Sequence, residues 1–291
     1  MQTSREIDAL LHLIDDPDEE VFTTVEQRLM SYGSPLIPQL ENLWENTISE
    51  EVQHRIEMII HRIHFGNLKE EIINWTKDDS DLLHGAMLVA KYQYPELQTM
   101  KVLQETEKMR RNLWLEMNNF VTPIEQAKIF ESILYNYYKM RGGEIQYNTT
   151  DDFMIHKAIE RKKGNAITVG IIYAHLCQLL DIPVKVIRIP RQFVLGYFSQ
   201  DALFNQSFDE GKASEKIKFF IDPNSGTAFS HKDIDQYFKR IGVNPVNSYF
   251  KPLGHKQIIR LLINEFAKCF NHPDTIYKQT ELAALSDLLY P

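Results

Sequence analysis

Glu160-Arg161-Lys162-Lys163-Gly164-Asn165-Ala166-Ile167-Thr168-Val169-Gly170-Ile171-Ile172-Tyr173-Ala174-His175-Leu176, running on to Leu180-Asp181-Ile182-Pro183, reads as a helix end, a tight turn and a second, buried helix. Lys162 and Lys163 suit a helix C-terminus, Gly164 a left-handed stop, and Asn165 the cap of the helix that begins at Ala166. The N-terminus of that helix is expected to face the strands that follow. A helix dipole in such a place depresses the pKa of a cysteine nucleophile.

Downstream of Pro183 the apolar period changes to two. Val184, Val186, Ile187 and Ile189, then Phe193, Leu195 and Tyr197, then Ile217, Phe219 and Ile221, predict three antiparallel strands. Ser199 to Glu215 is polar and reads as a long hairpin connection or a short disordered insertion. From His255 to Tyr290 the helical period returns, predicting two closing helices. Upstream, Thr122-Pro123-x-Glu125 starts a helix and Arg141-Gly142-Gly143-Glu144 marks a loop. From Glu6 to Trp114 apolar residues recur at helical spacing (Ile7, Leu10, Leu11, Ile14; Val21, Val25, Leu29; Ile37, Leu40, Leu43, Trp44). Breaks are expected at Asp15-Asp16-Pro17-Asp18, Tyr32-Gly33-Ser34-Pro35, Phe65-Gly66-Asn67 and Lys77-Asp78-Asp79-Ser80. The two Asp-rich corners suggest an irregular helical-repeat array.

The chain has 291 residues, 43% hydrophobic and 25% charged, so it carries enough apolar side chain for a sizeable core and is long enough for more than one unit. A net charge of −8 argues against a dedicated nucleic-acid or anionic-membrane binder, which needs a basic footprint. Cys177 and Cys269 are the only cysteines and lie far apart, so neither a disulfide framework nor a zinc ribbon is readable, and a cytoplasmic location is expected. Residues 1–6 show no secretory signal. The longest apolar run, Ala166 to Leu180, is broken by His175 and Gln178 and is too short to span a bilayer.

The Lys-Lys-Gly-Asn-x-Ile turn, the Leu-Asp-Ile-Pro-Val leading into a strand, Arg191-Gln192-Phe193-Val194-Leu195 and Phe220-Ile221-Asp222-Pro223 together resemble the transglutaminase-like superfamily, and within it the SirB-type proteins. The run from Leu253 to Asn264 resembles their tetratricopeptide-like tail. The similarity extends from the Asp-rich corner near Leu13 to the C-terminus. Active members of the superfamily use a Cys at the helix start, a His on a following strand and an Asp on the next. By that resemblance the cysteine position is Ala166, the histidine position Gln192, and only the acid, Asp222, is kept. Without a thiolate or an imidazole the covalent mechanism has neither nucleophile nor base.

Substitutes within the same helix fail on geometry. Cys177 returns to nearly the same face as Ala166 but lies about 16 Å along the axis, and His175 points to the opposite side. Thr168 and Tyr173 carry hydroxyls with no recognisable base. His54, Glu57, His61 and His64 form one stripe whose opposite side holds Ile56, Ile59, Ile60 and Ile63, so it reads as a solvated face and no metal site is expected. Asp222-Pro223 reads either as a strand-ending turn or as a vestigial site. In the second case the Gln192 amide and the Asp222 carboxylate are expected within a direct or water-bridged hydrogen bond.

These readings predict an α+β protein: a helical repeat-like domain over 1–118, a degenerate transglutaminase-like (papain-like) domain with a helix and antiparallel sheet over 119–250, and a helical pair over 251–291. The resemblance implies a non-catalytic, regulatory or interaction module without a cofactor. Its former active-site groove, lined by Asn165, Ala166, Thr168, Gln192 and Asp222, would hold a protein or an extended peptide. A cysteine-independent hydrolase or peptidase-like enzyme using Asp222 and water is one alternative. A helical scaffold that ignores the groove is another. Nucleic acid and membrane are not expected partners, and the sequence does not define an oligomeric state.

Overall fold

The structure, a computed structural model, describes residues 2–78, 81–118, 120–199 and 213–289. Most of the polar segment between Ser199 and Glu215 lies outside them. The chain divides into two compact units, Met1–Ile73 and Asn74–Pro291. The division falls within one long helix, and the segments 119–250 and 251–291 belong together to the second unit.

In the first unit α1 (Gln2–His12), α2 (Glu19–Met30), α3 (Ile37–Asn46) and the first part of α4 (Glu50–Asp78) enclose Ile14, Val25, Leu29, Leu36, Leu40, Ile56, Ile59 and Ile63. Asp18 caps α2 by accepting the Glu20 N–H at 2.9 Å. Arg55 fastens the acidic corner, donating to the Ile14 and Asp16 carbonyls at 3.0 and 2.8 Å while lying over the Phe22 ring. The buried Glu26 pairs with Arg62. The break expected at Phe65-Gly66-Asn67 does not occur, because α4 runs straight through it. A lone Gly costs a helix only about 1 kcal/mol, and buried Ile56, Ile59, Ile63, Leu68 and Ile72 keep helical spacing across it. On the outer side of α4, Glu57 accepts the Trp44 indole N–H at 3.0 Å.

In the second unit α5 (Leu82–Lys91), α6 (Thr99–Glu116), α7 (Pro123–Phe130) and α8 (Ile155–Arg161) surround α9 (Ala166–Leu179). Every residue of α9 from Ala166 to Cys177 is buried. After α7 the chain continues as a π-helical stretch, Glu131–Tyr137. The sheet contains β1 (Val184–Ile189), β2 (Gln192–Phe198), β3 (Ile217–Ile221) and β4 (Ala228–Phe229), antiparallel and in sequence order. The first three are the expected strands. The fourth is two residues long, too short to show a period. The fold is α+β, as expected.

The sheet is covered on both faces. Phe193 of β2 packs on Gly170 of α9. On the other face Ile187, Ile189, Val194, Phe198 and Phe220 form a core with Ile234 and Phe238 of α10 (His231–Ile241). Two further helices, α11 (His255–Ala267) and α12 (Ile276–Asp287), close the unit, and Gly85 of α5 fits between Trp75 and Ile259 of α11 with no room for a Cβ. Among the described residues no helix is long and apolar enough to cross a membrane.

Candidate functional site

The turn before α9 is tighter than its sequence suggests. The left-handed residue that ends α8 is Lys162 (φ 55), whereas Gly164 has no positive φ. Gly164 is needed for another reason: a Cβ there would run into the Thr168 hydroxyl and the Ala158 methyl. The Lys162 ammonium lies 5.4 Å from the centre of the Tyr138 ring and 3.9 Å from Glu105.

Asn165 caps α9, its Oδ1 accepting the N–H groups of Ile167 and Thr168 at 3.0 Å each. Its Nδ2 is buried without a partner. The Thr168 hydroxyl is fully buried, 3.0 Å from the Asp152 carbonyl and 3.1 Å from that of Asn165. Ala166 is 9% exposed, and its N–H donates at 3.1 Å to the carbonyl of Gly143. A strap of this same chain, Arg141-Gly142-Gly143, therefore crosses the end of α9. Arg141 is joined through its main chain to Lys162 and Gly164, and the Gly142 N–H donates to the Asn224 carbonyl at 3.0 Å. A Cβ at Gly142 would stand 2.5 Å from the Asn224 Cα, so the approach requires glycine.

Gln192 and Asp222 come from the sheet. Gln192 is the exposed first residue of β2 and pairs directly with Ile189. Ile187, Ile189 and Val194 belong to the core beneath α10, so strand alternation puts Gln192 on that face, while Phe193 lies on α9. Asp222 follows β3. Its Oδ1 accepts the Asn224 N–H at 2.9 Å and its Oδ2 the Ser225 hydroxyl at 3.1 Å, while its main chain closes a turn with Gly226 and Thr227. Both carboxylate oxygens thus serve a turn, and among the described residues no direct hydrogen bond joins Asp222 to Gln192. The structure brings Asn165, Ala166 and Thr168 together at one helix end, where Asn224 reaches them through the strap. It places Gln192 on the opposite face of β2.

One residue of this region has no separate signal in the sequence. Tyr135, in the π-helical stretch, is buried and donates its hydroxyl to the Pro223 carbonyl at 2.7 Å. Its ring also fills the space above Gly226, where a Cβ would stand 2.4 Å from it, and the φ of 75 there favours glycine as well. Burial, then the Asp222 charge, pushes the phenol pKa well above its ordinary value, so Tyr135 stays protonated as a donor. Cys177 is entirely buried and its thiol is likewise pushed up by desolvation. Among the described residues no group of three or more His, Cys, Asp or Glu side chains is placed to hold a metal ion.

A buried helix whose N-terminus meets the turn after an antiparallel strand, with a neighbouring strand packed on its first turns, is the framework of a papain-like acyl-transfer fold. The chain belongs to the transglutaminase-like superfamily, whose model matches residues 100–264, more than half of its length. Protein SirB1 of Salmonella typhimurium is 20% identical over 191 residues, 64% of this chain and 65% of that protein. A UPF0162 protein of Buchnera aphidicola subsp. Acyrthosiphon pisum is 29% identical over 63 residues, 22% of this chain and 23% of that one. A second UPF0162 protein, from Buchnera aphidicola subsp. Baizongia pistaciae, is 19% identical over 175 residues, 59% and 58% of the two chains. The chain thus spans less than two thirds of the length of each of these relatives. No solved structure matches it significantly.

Proposed function

We propose that this chain is a non-catalytic member of its superfamily that acts by binding a protein or an extended peptide. The observation that carries the reading is at Ala166. The residue at the nucleophile position has a methyl group for a side chain, and its N–H, the donor that would polarise an acyl carbonyl, already serves Gly143. The neighbouring hydroxyl of Thr168 lies against main-chain carbonyls, and the Asp222 oxygens anchor a turn. Cys177 and Cys269 are both free, which fits the reducing cytoplasm in which we place the protein.

The test is an acyl-transfer and amide-hydrolysis assay on the wild type beside Ala166→Cys/Gln192→His. Silence in the wild type is expected. Turnover in the wild type would overturn the reading and favour an enzyme that uses Asp222 and water. Because Gln192 lies on the far face of β2, the double variant is expected to stay silent as well.

A further inference from the structure

We propose that Arg141-Gly142-Gly143 is a displaceable gate over the N-terminus of α9, an intramolecular occupant whose extended backbone marks the path a binding peptide would take. The strap stands between two buried anchors, Met140 and Phe153, both 0% exposed. Between them no side chain from Arg141 to Thr149 is buried. What lies beneath it is the reverse: Gly164, Asn165, Ala166 and Ile167 are all buried. The strap is therefore held by main-chain hydrogen bonds to Lys162, Gly164, Ala166 and Asn224, and by the Arg141 guanidinium on the carbonyls of Tyr135 and Met140. Arg141-Gly142-Gly143 itself has no apolar anchor; the next one along the chain is Tyr147, stacked on Phe153 with its hydroxyl donating to Glu265 at 2.7 Å, so the part able to open locally while the rest stays folded lies ahead of it.

A further feature points the same way. Beneath the strap the Nδ2 of Asn165, a residue 1% exposed, has no acceptor, although its Oδ1 accepts two N–H groups and lies 3.3 Å from the Thr168 hydroxyl. The strap satisfies the Ala166 N–H and leaves this second donor unsatisfied. An extended peptide in its place would have to offer a carbonyl to the same N–H and glycine where Gly142 passes Asn224.

Thiol labelling tests this in the full chain. Ala166→Cys is made in a Cys269→Ser background, leaving buried Cys177 as the reporter of unfolding, and the protein is treated with iodoacetamide. If the strap gates the site, the introduced thiol reacts at least tenfold more slowly than a free thiol yet ahead of Cys177. Adding Arg141→Ala then speeds it at least tenfold with the Cys177 rate unchanged. Gly142→Ala serves as a second loosening variant, should the first fail to fold. Reaction at the free-thiol rate, reaction only in step with Cys177, or rates unmoved by the loosening variants would each overturn the gate. The proposal rests on reading this groove as a binding site, but the two fail separately: turnover in the wild type sinks the non-catalytic reading and leaves the labelling result standing.

Discussion

The ring of Phe193 lies directly on Gly170, with the Pro223 ring beside it, so the second turn of α9 touches both β2 and the turn after β3. A methyl group at position 170 would overlap Phe193 atoms that cannot swing away, since the ring is 5% exposed. Gly170→Ala is therefore expected to destabilise the protein by about 1–3 kcal/mol through overpacking, despite the higher helix propensity of alanine. Urea unfolding checks this. A gain in stability would mean that the helix and sheet do not meet at Gly170.

Tyr135→Phe removes the hydroxyl that serves the buried Pro223 carbonyl and keeps the ring that covers Gly226. The orphaned carbonyl is expected to cost about 1–3 kcal/mol. Tyr137, its 67% exposed neighbour but one, is the control, and Tyr137→Phe is expected to change stability very little. Equal losses from the two variants would sink the assignment of Tyr135 as the bond that holds the Asp222 turn.

Much of this architecture is legible from local pattern. The Asn165 cap, the period-two runs and the two closing helices each depend on neighbours in sequence, whereas the left-handed stop falls at Lys162 and not at Gly164. What eluded that reading depends on partners far along the chain. The Arg141-Gly142-Gly143 loop has the composition of a flexible connection, and only the fold reveals that Gly142 is glycine because Asn224 passes beside it. The face on which Gln192 lies follows from its pairing with Ile189, a register that a motif match does not specify. Helix α10 did carry a local signal. Ser230 and Asp233 form a capping box ahead of Ile234, Tyr237, Phe238 and Ile241 at helical spacing.

The cap of α9 is a further point of dependence. Asn165 accepts two N–H groups in a place without solvent to replace it. Asn165→Ala is expected to cost about 1–2 kcal/mol, the upper part of the usual range for a lost cap. Asn165→Ser, which can still accept, is expected to recover part of that loss. Thermal unfolding of the three proteins checks the order. A serine variant no better than alanine would show that the asparagine acts through packing and not as a cap.

Stability is also expected to depend on pH through His175. This side chain of α9 is 7% exposed, with Nδ1 3.7 Å from Asp81 Oδ1 at the start of α5. Burial lowers its pKa from the ordinary 6.5; the Asp81 charge pulls it back up in part, and His255 at the start of α11 pushes it down again. A base whose pKa is lowered in the folded state binds fewer protons there than in the unfolded chain. Its contribution is then complete above pH 6.5 and is lost as the pH falls below that value toward the lowered one. His156 acts in the same direction, lowered first by burial and then by Lys157. The urea midpoint is therefore expected to fall between pH 7.5 and 5.5. His175→Gln removes part of that fall and His156→Gln another part, since neither glutamine takes up a proton. If the double variant keeps the whole of the wild-type difference, the two imidazoles are not its source, and the surface charges of the chain must be.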